Sequence, residues 1–256
     1  MKKLLFADLD DTLFQSHRKV VPAANWAPAA YLKDGSTISY ASPHQQALIE
    51  LFQRELVVIP VTARNRDAFG RVAINFSHEA ILNYGGVVLA SDGRIDEFWL
   101  ERSRTEARKV ETRLADCTEL LTRECCNLSI DVRVRLITDY GIPFYIVAKS
   151  PSGNVDSVRL LKSTLSRILP PIFTIHKNQN NLAIIPHWLN KCDAVTYVRG
   201  LYESMHGEVL TFGMGDSLVD FAFMQSCHYM IVPSVSQIAE TFGSAVANDV
   251  PRKLPA

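Results

Sequence analysis

Asp8 and Asp10 stand in the stretch Leu4-Leu5-Phe6-Ala7-Asp8-Leu9-Asp10-Asp11-Thr12-Leu13-Phe14, where a short apolar run turns acidic. The run is too short for a helix and reads as a buried strand of a parallel sheet, with carboxylates at its C-terminal end. That edge is where open α/β sheets bind ligands. If the chain stays extended, Asp8 and Asp10 leave it on the same side. Two carboxylates crowd together only with positive charge between them, so a divalent cation and a phosphoryl group suit this strand end. A solvated acidic turn is the plainer alternative, and the rest of the chain weighs against it.

A second pair of carboxylates repeats the pattern. Val209-Leu210-Thr211-Phe212 reads as a strand that ends in Gly213-Met214-Gly215-Asp216-Ser217-Leu218-Val219-Asp220. The spacing puts Asp216 at the turn and Asp220 about one helical turn later, so that both can face one point. Between the two pairs, the apolar strand Leu56–Val61 ends at Thr62-Ala63-Arg64-Asn65. The Thr62 hydroxyl can hold a phosphate oxygen there, cap a helix over 66–74, or do both. Lys191 opens a helix that runs through Asp193, Ala194, Val198 and Leu201. A lysine in the first turn opposes the helix dipole, so its presence is informative. Gly85, Gly213 and Gly215 form neither a dinucleotide fingerprint nor a Walker loop.

The intervening sequence must position these groups. Residues 15–41, with Pro22, Pro28 and the turn signal Lys33-Asp34-Gly35, read as a flap or a small hairpin. Ser42-Pro43-His44-Gln45 has the form of a capping box, and Ala47, Leu48, Leu51 and Phe52 supply an apolar helix face. A strand over 80–83 leads into Tyr84-Gly85-Gly86, a hinge signal. Beyond it the order changes to strand pair, helix, strand pair, helix, strand pair. A hairpin of 87–90 with 95–100 and a helix over 102–123 come first. Strands over 129–137 and 144–148, a helix over 155–169, and strands over 172–176 and 182–185 follow. The expected fold is therefore α/β, a Rossmann-like doubly wound parallel sheet core over 1–86 and 186–256, with an inserted α+β cap domain over 87–185. Strand 229–232 and a helix through Ile238 close the sheet.

The chain has 256 residues, 47% hydrophobic and 21% charged, enough to bury a full core. Its 27 basic and 27 acidic residues balance to zero, which points away from nucleic acid and anionic membranes and toward a small molecule. There is no signal-peptide pattern at the N-terminus and no apolar run long enough to span a bilayer. The five cysteines show no CxxC spacing, as expected for reduced thiols in a cytoplasm. The oligomeric expectation is a monomer or a homodimer.

In identity, order and strand-end placement, the DxDxT of Asp8 to Thr12, Thr62, Lys191 and the GDxxxD of Gly215 to Asp220 resemble the haloacid dehalogenase superfamily. The inserted α+β segment is similar to the cap of its sugar-phosphatase branch, and Thr62-Ala63-Arg64 looks like that branch's Thr-Gly-Arg. Two features depart from the pattern: Asp11 stands where a glycine is usual, and the 15–41 segment is long. The resemblance implies a Mg²⁺-dependent phosphatase of a small phosphate ester, most simply a sugar phosphate. Asp8 would be the nucleophile and Asp10 the general acid and base. Thr62 and Lys191 would hold the phosphoryl oxygens, with Thr12, Arg64 and Asn190 in support. Mg²⁺ would be held by Asp8, the Asp10 carbonyl and Asp216, with Asp220 direct or through water. A phosphomutase on the same core and a non-catalytic phospho-ligand-binding protein are the alternatives.

Overall fold

A computed structural model describes residues 1–249; the last seven residues of the core range drawn above, 250–256, lie outside the described ones. The chain forms two compact units, Met1–Ile95 with the chain from Lys191 onward, and Asp96–Asn190.

In the first unit, β1 (Lys2–Ala7) is one of the two inner strands of a four-stranded parallel sheet. It lies between β5 (Val57–Pro60) and β12 (Val209–Met214), and β13 (Tyr229–Ile231) forms the edge beyond β12. Leu4, Leu5, Phe6 and Ala7 are wholly buried, which accounts for a strand sequence without polar alternation. Ala7 is level with both Pro60 and Met214, so β1, β5 and β12 end together. The residues that follow, at Asp8, Thr62 and Asp216, therefore leave the sheet along one edge.

The 15–41 segment forms a three-stranded antiparallel sheet, more than a single hairpin. Its order is β2 (Gln15–Ser16), β4 (Thr37–Ala41), β3 (Ala27–Tyr31). Ala29, Ala30 and Ala41 pack into one core with Leu5, Ala7, Leu13 and Met214, so this sheet is built onto the parallel one. The capping box of α1 (Pro43–Glu55) is present, with Ser42 Oγ accepting from the Gln45 N–H and Gln45 Oε1 from the Ser42 N–H. In contrast, α2 is one short helix, Arg66–Phe69, and its cap is Asn65, whose side chain accepts from the Ala68 N–H. Thr62 is thus not the helix cap.

The hairpin expected between 87–90 and 95–100 is absent. β7 (Val87–Leu89) pairs instead with β6 (Ala80–Leu82), and Ile95 makes one isolated bridge to Leu89. The chain then becomes helical in α3 (Glu97–Arg108), capped by the Asp96 carboxylate, which accepts from the Trp99 N–H. Phe98-Trp99-Leu100 reads as a strand by apolarity, but on the helix Trp99 and Leu100 are buried and Phe98 is exposed. The single helix expected over 102–123 is two, with α4 (Glu111–Asn127) starting after a break at Lys109-Val110.

The second unit is an antiparallel sheet in the order β10 (Phe173–Asn178), β11 (Asn181–Pro186), β9 (Ile142–Lys149), β8 (Arg133–Asp139). One face, through Ile146, Ala148, Leu182, Ile184 and Phe173, packs against α4 and α5 (Val155–Ile168) at Leu114, Leu121, Val158, Leu161 and Leu165. The remaining helices, α6 (Lys191–His206), α7 (Leu218–Gln225) and α8 (Gln237–Asp249), belong to the first unit. Among the described residues no helix is long and apolar enough to cross a membrane.

Candidate active site

Lys191 is the first residue of α6 and is 4% exposed. Its Nζ donates to Asp8 Oδ1 at 2.6 Å and to Asp220 Oδ1 at 2.5 Å. The adverse dipole at the head of α6 is thereby outweighed by two full negative charges. Burial by itself would lower the ammonium's pKa, but Asp220 and Asp8 hold it well above the ordinary lysine value. The rings of Tyr84 and Phe223 lie 6.0 and 5.7 Å from Nζ, within cation–π range.

Asp8 continues β1 by one residue, its N–H donating to the Met214 carbonyl. Burial raises its carboxyl well above the ordinary range; Lys191 pulls the other way, and Asp220 and Asp216 add to the rise. Asp216, at the end of β12, is pushed up to about 7, first by burial and then by Asp220 and Asp11. Thr12 joins the two strand ends, with Oγ1 3.3 Å from Asp8 Oδ2 and 3.4 Å from Asp216 Oδ1.

Asp8, Asp216 and Asp220 each bring one carboxylate oxygen within 4.8 Å of the others. This all-oxygen donor set suits a hard divalent cation. The three contributions are unequal, however. Asp220 Oδ1 is taken by Lys191, and Oδ2 accepts from Ser217 N–H at 3.1 Å and from Ser217 Oγ at 2.5 Å. Asp220 is therefore engaged on both oxygens and anchors Lys191; Asp8 likewise accepts on both, from Lys191 and Thr12, whereas Asp216 accepts from Thr12 on Oδ1.

The Asp10 carboxylate does not join the chain Asp8–Lys191–Asp220. Arg64 grips it with two parallel bonds, Nε to Oδ2 at 2.8 Å and Nη2 to Oδ1 at 2.7 Å, while the Asp10 side chain stays 48% exposed. Arg64 itself lies over the Phe14 ring at 5.3 Å. Thr62, 1% exposed, stands beside Asp8 because Val61 N–H donates to the Ala7 carbonyl. Its Oγ1 accepts from the Arg64 N–H at 3.1 Å, so the hydroxyl's own proton is left to donate to a ligand. Asn190 is the last residue of the inserted unit, directly before Lys191.

The local sequence explains how these groups meet. Asp11, in the glycine position of the resemblance, sits at φ 69° and is ion-paired to Lys19 of the flap segment. Aspartate is among the few side chains that enter the left-handed region readily, and the salt bridge helps to hold it there. At Gly215 a Cβ would lie 2.6 Å from Asp220 Cβ. Gly215→Ala is expected to displace Asp220, lowering stability by about 1–3 kcal/mol. Denaturant unfolding measures the loss; a variant as stable as wild type would contradict this packing.

Sequence reasoning passed over Tyr84 and Ser217. Tyr84 is buried at φ 56°, and burial, with Asp220, Asp8 and Asp10 nearby, keeps its phenol protonated. A tyrosine ahead of two glycines carried no signal of this beyond a hinge. Ser217, three residues before an aspartate and at the head of a helix, was a readable capping box.

No family model matches the sequence, and no curated protein matches it. Solved structures do. The C-terminal domain of trehalose-6-phosphate phosphatase from C. albicans is 11% identical with a TM-score of 0.57, over 98% of this chain and 79% of that one. The sucrose-phosphatase from Synechocystis sp., solved with sucrose and phosphate, is 17% identical with a TM-score of 0.52, over 95% and 88%. A haloacid dehalogenase-like hydrolase from B. subtilis is 13% identical with a TM-score of 0.52, over 93% and 91%. The chain has the fold of the haloacid dehalogenase-like sugar phosphatases, a Rossmann-like core with an inserted α+β unit.

Proposed function

We propose that this chain is a Mg²⁺-dependent phosphatase of a small phosphorylated metabolite, a sugar phosphate, acting through an aspartyl-phosphate on Asp8. The observation that carries the reading is the buried chain Asp8–Lys191–Asp220 beside Asp216, at the C-terminal edge of a sheet with this fold. A carboxylate nucleophile and a phosphate dianion repel one another, so attack needs positive charge close to both. Lys191 supplies one such charge. Mg²⁺ bound by Asp8 and Asp216, with the Asp10 carbonyl, would supply the other.

In the proposed reaction, Asp8 attacks phosphorus and the ester P–O bond breaks. Asp10 gives a proton to the leaving oxygen, then takes one from the water that cleaves the P–O bond to Asp8. Because Arg64 occupies both Asp10 oxygens, one of its two bonds must be released when Asp10 carries the proton. Thr62 and Lys191 hold phosphoryl oxygens, and Thr12 keeps Asp8 and Asp216 in register. The inserted unit serves as the cap that selects the substrate. A screen of sugar, polyol and nucleotide phosphates with Mg²⁺, read as inorganic phosphate, tests the reading. Phosphoryl transfer to another hydroxyl of the same sugar, with little free phosphate, would replace it by a mutase.

The raised Asp216 pKa has a defined sign in stability. Between the unfolded carboxyl's value and about 7, the native state holds a proton that the unfolded chain has lost. Asp216's contribution thus makes the metal-free protein less stable as pH rises from about 4 to 7, by on the order of a few kcal/mol. Mg²⁺ requires the ionised carboxylate, so the stabilisation it adds should grow over the same interval. Thermal melts at pH 5 and 8, with Mg²⁺ and with a chelator, check both slopes. A Mg²⁺ shift equal at the two pH values would contradict the assignment of Asp216 as a ligand.

A further inference from the structure

Within the first unit, the antiparallel sheet of 15–41, the head of α1 and the loop after β13 enclose an open cleft of about 560 Å³, a volume within the range of small-molecule sites. The cleft borders the carboxylate edge of the parallel sheet, where Thr12 and Met214 form part of its wall. Trp26, Leu48 and Val232 give it apolar surface, and Gln15, His44 and Ser234 give it polar groups. None of these side chains has a part in the proposed phosphoryl transfer.

The lining selects for an uncharged ligand. Among the described residues no lysine or arginine borders the cleft, and with histidine neutral its one formal charge is Asp11, which is ion-paired to Lys19. A phosphate or carboxylate would enter with no cation to meet it. Hydrogen-bonding capacity, in contrast, stands ready. Among the described residues, the Gln15 amide, the Trp26 Nε1–H and the His44 imidazole have no hydrogen-bond partner, and both Gln15 and Trp26 are half-buried on the cleft wall. An aromatic ring attracts the C–H groups of a saturated ring to its negative face, while amide and imidazole groups bond hydroxyls at that ring's edge. The polar groups come from three places, β2, α1 and the loop after β13, and so call for hydroxyls on several sides of a ring. A sugar meets that demand, whereas a nucleobase carries its polar atoms along fewer edges.

The cleft is also tied to the carboxylates without containing them. Gln45, on its wall, donates from Nε2 to the Thr12 carbonyl at 3.5 Å, and Thr12 Oγ1 lies 3.3 Å from Asp8 Oδ2 and 3.4 Å from Asp216 Oδ1. Asp8 and Asp216 are not among the residues that line the cleft.

We propose that this cleft is a second ligand site, for an uncharged sugar or cyclic polyol, separate from the site of phosphoryl transfer. It stands on the chemistry of the cleft and does not depend on the phosphatase reading.

Calorimetric titration of the full chain with glucose, with sucrose and with adenosine tests it. At least one of the two sugars should bind with a Kd on the order of 0.1–1 mM, as suits a small neutral ligand held by a few hydrogen bonds and one aromatic face. Trp26→Ala and Gln15→Leu should each weaken that binding tenfold or more, whereas Asp8→Asn should leave it within twofold. Gln15→Leu keeps the backbone pairing of β2, so the inference stays open to refutation even if Trp26→Ala does not fold. No binding of either sugar at concentrations tenfold above that range would overturn it. Sugar binding that survives in either folded cleft variant would do the same, and so would binding lost in Asp8→Asn, since the sugar would then sit among the carboxylates. Adenosine bound in place of the sugars, with the affinity lost in Trp26→Ala, would also overturn it and assign the cleft to a flat aromatic ligand.

Discussion

Asp8→Asn is expected to abolish phosphate release, a loss on the order of 10⁴-fold or more, as for other enzymes deprived of their nucleophile. The asparagine keeps the shape of the side chain and an oxygen that can accept from Lys191, but its amide cannot form the acyl phosphate. Its effect on stability should be of the opposite kind. Asp8 is buried and its carboxylate lies close to Asp216 and Asp220, so removing its charge removes a desolvated anion from a crowded site. The variant should melt at or above the wild-type temperature in the absence of metal. A loss of activity accompanied by unfolding would deprive the result of its meaning, and residual activity within tenfold of wild type would exclude Asp8 as nucleophile.

Lys191→Met should fail in both respects. The side chains of Lys191, Asp8 and Asp220 are 3%, 9% and 1% exposed. Deleting the cation strands two buried carboxylates beside a third. Breaking a buried pair in this way typically costs about 3–5 kcal/mol, a large share of a domain's total stability. Proton uptake by the stranded carboxylates relieves part of the loss, so the deficit should be larger at pH 8 than at pH 5. Urea unfolding at the two pH values, with and without Mg²⁺, measures it, and turnover should fall with it because no cation is left to offset the charge of nucleophile and phosphoryl group. A midpoint unchanged at pH 8 would show that Lys191 does not hold Asp8 and Asp220 together in solution.

The parts legible in the sequence were those in which residue type and local spacing suffice. The apolar run Leu4–Ala7, the capping box at Ser42 and Gln45, and the four-residue step from Asp216 to Asp220 each depend on neighbours within one turn or strand. The segment 95–100 was misread because four or five apolar residues have no distinct period, and the deciding signal was the side chain of Asp96 as a helix cap. The break at Lys109-Val110 had no glycine or proline to announce it.

By itself the sequence determined the parallel core, the interruption by an α+β segment, and the set Asp8, Thr62, Lys191 and Asp216 at strand and helix ends, because strand termini and charge placement are local. Only the tertiary structure decided the pairings among those groups. It joined Lys191 to Asp8 and Asp220, turned Asp10 to Arg64, engaged both oxygens of Asp220, and brought Tyr84 to the lysine. These are matters of register and of contact between residues up to 183 positions apart, such as Asp8 and Lys191. A shift of one residue in a strand sends every side chain to the other face, and no local pattern specifies which carboxylate a buried lysine will meet.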